Sequence, residues 1–181
     1  MQQFTFLLIS LFLSVSAFAQ STFTLTSTTL GGNATLTEEF NGFGCTGENV
    51  SPQLSWENAP EGTKSFAITM YDPDAPTGSG WWHWVVFDLP TEVSSLVANA
   101  GNPEKGLLPE SAIQSLTNYG LPGYGGPCPP EGHGIHQYVI TVYALNVESL
   151  GLDANTNPAI VGYYLWSNTL ARASIVTYYQ R

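Results

Sequence analysis

Residues 71–90, YDPDAPTGSGWWHWVVFDLP, restrict the fold more than any other stretch of this chain. Asp72 and Asp74 stand two apart, and Pro73 and Pro76 stiffen the backbone between and after them by fixing φ. Gly78 to Gly80 turns the chain. His83 then sits among Trp81, Trp82 and Trp84, and Val85 to Phe87 is an apolar run of strand type that closes at Pro90. Immediately upstream, Phe66, Ile68 and Met70 alternate with Ala67, Thr69 and Tyr71, the period of a strand, so Asp72 is delivered to a strand end. Rigid carboxylates, a turn and a histidine among tryptophans on a buried strand exceed what simple packing requires.

A second stretch answers the first. Residues 125–145 read GGPCPPEGHGIHQYVITVYAL, a Gly/Pro loop followed by a strand that begins at His136. Alternation puts His136, Tyr138, Ile140 and Val142 on one face and Gln137, Val139, Thr141 and Tyr143 on the other. One pocket follows from these two stretches. Its members are Asp72, Asp74, His83, His136 and Tyr138, with the Gly/Pro loop, including Gly126 and Pro127, as its rim. His133, between two glycines, reads as a rim residue.

The remaining chain is mostly strand and loop. Residues 21–28 alternate weakly, residues 34–36 read as a short strand within a polar, Gly-rich segment, and residues 52–56 form another strand. Residues 91–98 have the pattern of a short helix with Thr91 as N-cap. Residues 100–124 lack any sustained period and read as a long ordered loop, of the kind that often carries function. Asn157-Pro158 starts a helix, with proline at its first position, that continues to about Leu170. Residues 174–179 close the chain as a strand. Periodicity therefore predicts a mainly β protein, an antiparallel sandwich of two stacked sheets with one helix near the C-terminus.

Residues 1–19 read as a signal peptide: an apolar run from Phe4 to Leu13 and then the small-x-small pattern Ala17-Phe18-Ala19. The run falls short of the ~20 residues of a membrane span, and no other segment could cross a bilayer. Residues 20–181 then form a single exported domain, periplasmic or secreted, large enough for a real core. Four basic residues stand against fourteen acidic ones, for a net charge of −10. That balance argues against nucleic acid, whose binding rests on neutralising phosphates, and against docking on anionic lipid.

D-P-D-A-P with an aromatic-flanked histidine, followed by G-P-C-P-P-x-G-x-G-x-H-x-Y, resembles the phosphatidylethanolamine-binding protein family, and more narrowly its bacterial Raf kinase inhibitor-like branch. The resemblance extends to NVSPQLSW at residues 49–56 and to residues 158–178, so it covers nearly the whole chain after the leader. Gln137 departs from it, since the family commonly has arginine there, but that side chain faces away from the pocket. The resemblance implies two stacked sheets with a C-terminal helix beside the pocket, and a phosphoryl head group as ligand.

Two imidazoles and two carboxylates support three readings. The first is an anion site, in which nearby carboxylates favour the imidazolium form of both histidines and Tyr138 and loop N–H groups add donors. Asp72 and Asp74 must then each be engaged in a hydrogen bond, or they would repel the anion. The second is a divalent metal site, although the spacing matches no local metal motif. The third is purely structural. Hydrolytic catalysis has little support, because there is no G-x-S-x-G elbow; the chain reads as a binding protein without cofactor rather than an enzyme. The alternative is an interaction protein that inhibits a kinase or protease through the surface around the pocket. A protein partner and a homodimer are left open. Two cysteines in an exported chain favour one bridge, Cys45–Cys128; the alternative is two thiols lining the pocket.

Overall fold

The computed structural model describes residues 21–181, and the leader assigned to residues 1–19 lies outside them. Strand alternation sorts the apolar residues into two cores. Five strands, β3 (Ser65–Asp72), β4 (Trp81–Pro90), β6 (Ile113–Gln114), β7 (His136–Leu145) and β8 (Thr169–Tyr179), form a sheet in the order β6-β4-β3-β7-β8. Three more, β1 (Thr24–Thr26), β2 (Leu54–Glu57) and β5 (Ser95–Leu96), form a smaller sheet in the order β1-β2-β5. Every neighbouring pair is antiparallel.

The inner face of the large sheet presents Phe66, Ile68, Met70, Trp84, Val86, Tyr138, Ile140 and Val142 to Leu25, Leu54, Trp56 and Leu96 of the small one. Its outer face presents Ala67, Val85, Phe87 and Leu145 to helix α1 (Pro158–Asn168), which buries Val161 and Leu165 there. The central strands are thus covered on both sides, which is why β3 and β4 are buried almost throughout. The α1 start follows from its sequence: Asn157 caps it by accepting from the Ala159 N–H at 2.9 Å, and Pro158 needs no partner for a missing donor. At the other end the Thr169 hydroxyl donates to the Leu165 carbonyl at 2.6 Å, and the chain enters β8 with no intervening loop.

Four expectations change. Residues 91–98 are not a helix: a turn leads into β5, where Leu96 is buried opposite Leu54. The Thr91 hydroxyl meets only Glu92 and caps no N–H. Burial against the small sheet overrides local helix propensity. Residues 34–36 form no strand; Glu38 accepts from both the N–H and the hydroxyl of Thr35 at 2.8 Å, and that contact folds the chain into a turn. Only a single parallel bridge, Asn33 to Tyr178, joins this segment to the large sheet. The last strand is longer than expected and begins at Thr169, because it pairs with β7 along its whole length. Finally, α1 lies on the outer face of the large sheet, whereas the pocket opens on the inner side, and no residue of α1 lines the pocket.

Candidate functional site

Three strand termini meet at one end of the large sheet. β3 ends with Asp72, β4 begins with Trp81, which pairs with Asp72, and β7 begins with His136. Between them lies a cavity of about 170 Å³ walled by Asp72, Trp81, His83, Tyr119, His136 and Tyr138, with Phe43, Cys128, Pro129 and Pro130 at its rim. Tyr119 was not foreseen. It comes from the aperiodic segment 100–124, where no spacing marks it.

A β-bulge aims His83. Met70 pairs with Trp84 and Tyr71 with Trp82, so one step on β3 spans two on β4 and His83 is the extra residue. Regular alternation would turn His83 away from the face that Trp84 occupies. With the bulge, Trp84 joins the inner core, Trp82 packs on the α1 side, and His83 reaches the cavity beside Tyr138, their ring centroids 5.0 Å apart.

The two carboxylates form a brace. Asp72 Oδ1 accepts from the Asp74 N–H at 2.8 Å, and Asp72 Oδ2 accepts from His136 Nδ1 at 2.7 Å. Asp74 Oδ2 accepts from the Gln137 N–H at 2.9 Å. Asp74 thus ties the turn after β3 to the start of β7 and is exposed rather than in the cavity. Both acids are engaged, the condition an anion site requires. The second nitrogen of His136, Nε2, lies 2.7 Å from His133 Nδ1.

His83 departs from expectation. Its Nδ1 faces the carbonyls of Gly125 at 2.7 Å and Gly126 at 3.1 Å; carbonyls only accept, so Nδ1 carries the proton. Burial lowers its pKa to about 4, outweighing the carbonyl bonds and the Asp72 charge, which act in the other direction. His83 is neutral at physiological pH, and its Nε2 is an acceptor, not a cationic donor. Burial, with the Asp72 charge adding to it, raises both Tyr119 and Tyr138 well above the ordinary phenol range, so both stay protonated. The Tyr119 hydroxyl donates to the Gly126 carbonyl at 2.8 Å. The Tyr138 hydroxyl is buried and has no partner among the described residues.

Gly126 and Pro127 hold the site rather than line it. The Gly126 N–H is committed to Asn49 Oδ1 at 2.8 Å, while Pro127 has no N–H and accepts from Phe40 through its carbonyl. They supply no donor to a ligand. A side chain on Gly126 would collide with the Glu38 carbonyl, so glycine is required for this close approach. Cys45 and Cys128 are joined by a disulfide, which ties the Phe43 loop to the rim. Among the described residues, no three His, Cys, Asp or Glu side chains are grouped as metal ligands.

Comparison with known proteins gives the family and the fold. The family model described as phosphatidylethanolamine-binding protein matches residues 26–180. YbcL of Escherichia coli K12 is 48% identical over 150 residues, covering 83% of this chain and 82% of that protein. YbhB of the same organism is 47% identical over 138 residues, covering 75% and 85%. The crystal structure of E. coli YbcL, described as a new member of the mammalian PEBP family, superposes with a TM-score of 0.86 at 46% identity, covering 90% of this chain and 99% of that one. A PEBP homologue from Chlamydia trachomatis superposes at 0.71 with 28% identity, covering 88% and 97%. The chain belongs to the phosphatidylethanolamine-binding protein family.

Proposed function

We propose that this chain is an exported binding protein for a small molecule bearing a phosphoryl or carboxylate group, and not an enzyme. The observation that carries the reading is the Tyr138 hydroxyl, buried at the cavity wall without a partner among the described residues. Such a group costs ~1–3 kcal/mol, and a ligand oxygen would satisfy it. The indole N–H of Trp81, also at the wall, lies near the Tyr119 side chain but makes no hydrogen bond of good geometry among the described residues. Two orphan donors on one cavity call for an acceptor-rich ligand.

The size fits a head group: about 170 Å³ is below the ~300–1,000 Å³ of pockets that enclose drug-sized molecules. Both carboxylates are already engaged, and His136 is the side chain able to add positive charge. The neutral His83 accepts, which suits a protonated phosphate oxygen or a hydroxyl on the same ligand. Cys128 is consumed in the disulfide, which removes the one thiol that could have paired with a histidine as a nucleophile. The leader pattern and the disulfide both fit an oxidising compartment.

Calorimetric titration of the mature protein with inorganic phosphate, a phosphate monoester and a short carboxylate tests the reading. Binding of at least one anion is expected, with loss of most of it in His136→Ala. Saturable binding that survives both His136→Ala and Tyr138→Phe would locate the anion elsewhere.

A further inference from the structure

We infer that His133 is a built-in competitor for the anion site: it occupies the His136 nitrogen that an anion needs, and it must leave that nitrogen before His136 can engage a ligand. This rests on the anion-binding reading above. An imidazole has two nitrogens, and those of His136 are both taken, Nδ1 by Asp72 and Nε2 by His133, each at 2.7 Å. The part of the ring that borders the cavity therefore offers no free N–H to a ligand. One of the two partners must leave, and they differ in how they are held. Asp72 and His136 are both buried and Asp72 is braced from the Asp74 backbone. His133 is exposed and lies between Gly132 (φ 73°) and Gly134 (φ 100°). Apart from its own chain neighbours, neither glycine has an atom of the described residues within 4 Å of where a side chain would begin, so the loop has room to move. Its backbone is held by one contact within the turn, His133 N–H to the Pro130 carbonyl at 3.1 Å, and by one long-range contact, Gly132 N–H to the Arg181 carbonyl at 3.0 Å.

The proton count makes this contact acid-sensitive. The Asp72 carboxylate accepts, so His136 Nδ1 carries a hydrogen. The contact between His136 Nε2 and His133 Nδ1 then needs one proton between two nitrogens. It survives when both rings are neutral and when one is charged. When both are fully protonated, two N–H groups face each other and the contact becomes repulsive. A doubly protonated pair would therefore release His133 and leave the His136 Nε2–H free to donate. The other ionisable groups around the pair do not undo this. Asp72 and Asp74 at the end of β3 are engaged as described, His83 on β4 stays neutral until about pH 4, and burial keeps Tyr138 and Tyr119 protonated. Tyr179, which pairs with His136 from β8, has a pKa pushed up to about 12 by burial. Arg181 is committed to the Pro129 and Gly44 carbonyls. Glu131, on the loop itself, travels with it.

The experiment is calorimetric titration of inorganic phosphate into the mature wild type and His133→Ala at pH 7.5 and pH 5.5, with ¹⁵N spectra of the histidine rings recorded without ligand. Comparing the two proteins at each pH cancels the ionisation of phosphate itself. His133→Ala is expected to bind about 10-fold tighter at pH 7.5, because the exposed Nε2 can take the acidic hydrogen of dihydrogen phosphate without first displacing a hydrogen bond, and the two proteins should converge at pH 5.5. The ring spectra should show a shared proton at pH 7.5 that is lost at pH 5.5. Equal or weaker binding by His133→Ala at pH 7.5 overturns the competitor, as does a shared proton that persists at pH 5.5 or is absent at pH 7.5. If the ring spectra behave as expected but phosphate binds neither protein, the histidine latch stands and the phosphoryl reading beneath it fails.

Discussion

The Tyr138 hydroxyl stands buried and without a partner among the described residues, so its removal should affect binding and stability in opposite directions. Tyr138→Phe deletes a buried donor that has no partner, and stability should hold or rise by up to ~1–2 kcal/mol. Phosphate affinity should fall several-fold, the worth of one hydrogen bond of ~0.5–1.5 kcal/mol. Urea unfolding and titration on one preparation check both; a variant that loses stability would mean the hydroxyl has a partner in solution. His83 sets a second residue-scale expectation. Its pKa of about 4 in the folded protein lies below the ~6.5 of the unfolded chain. The unfolded state therefore takes up the proton first as pH falls. The stability contribution, ~3 kcal/mol, is complete above about pH 6.5 and is lost progressively as pH drops toward about 4. Ring ¹⁵N titration should find His83 neutral at pH 5.5, and an apparent pKa near 6.5 would remove the effect. Sequence reasoning placed His83 in the pocket but gave it the wrong charge, because a nearby aspartate is visible in sequence and the depth of burial is not.

At the scale of elements, how much could be read in advance depended on how regular each element is. The alternation of β7 placed His136 and Tyr138 on one face with Ile140 and Val142, and the structure has them so. The start of α1 was legible from Asn157-Pro158, because a cap is a local event. What escaped was non-local: β5 in place of a helix, since Leu96 answers to Leu54 across the small sheet; the bulge at His83, since register belongs to two strands at once; and Tyr119, since an aperiodic loop gives no face. The same division predicts two mutants. Leu165→Ala hollows the α1 layer and should cost ~2–5 kcal/mol, yet phosphate binding at temperatures below its melt should be unchanged, because α1 lies across the sheet from the cavity. Gly126→Ala should combine the two losses. The added methyl meets the Glu38 carbonyl, at a cost of ~1–3 kcal/mol or more. The backbone shift also moves a carbonyl that both His83 and Tyr119 use, so affinity should fall with stability. Normal binding by Gly126→Ala would show that this carbonyl does not position the pocket.

Over the whole molecule, the disulfide links segments far apart in sequence, Cys45 and Cys128, with a separation of 83 residues. Closing a loop of that length restricts the unfolded chain by ~4–5 kcal/mol in the chain-entropy model, and for a domain of this size that corresponds to roughly 10–20 °C in Tm. The bridge also fixes Phe43 and Cys128, both on the cavity rim, to one another. Cys45→Ser/Cys128→Ser should therefore melt lower by about that amount and bind phosphate more weakly, as the Phe43 loop gains freedom that the ligand must then remove. The same bridge bears on where the protein works. Protein recovered from the exported fraction should begin at Gln20 and show no alkylatable thiol without reductant, and two labelled thiols there would overturn the bridge. Chain entropy makes a further distinction possible. If the disulfide acts only through the unfolded state, the double variant loses Tm and keeps wild-type affinity well below its melt. If it also shapes the rim, affinity falls at temperatures where the variant is fully folded. The contacts of Phe43 at the cavity lead us to expect the second outcome.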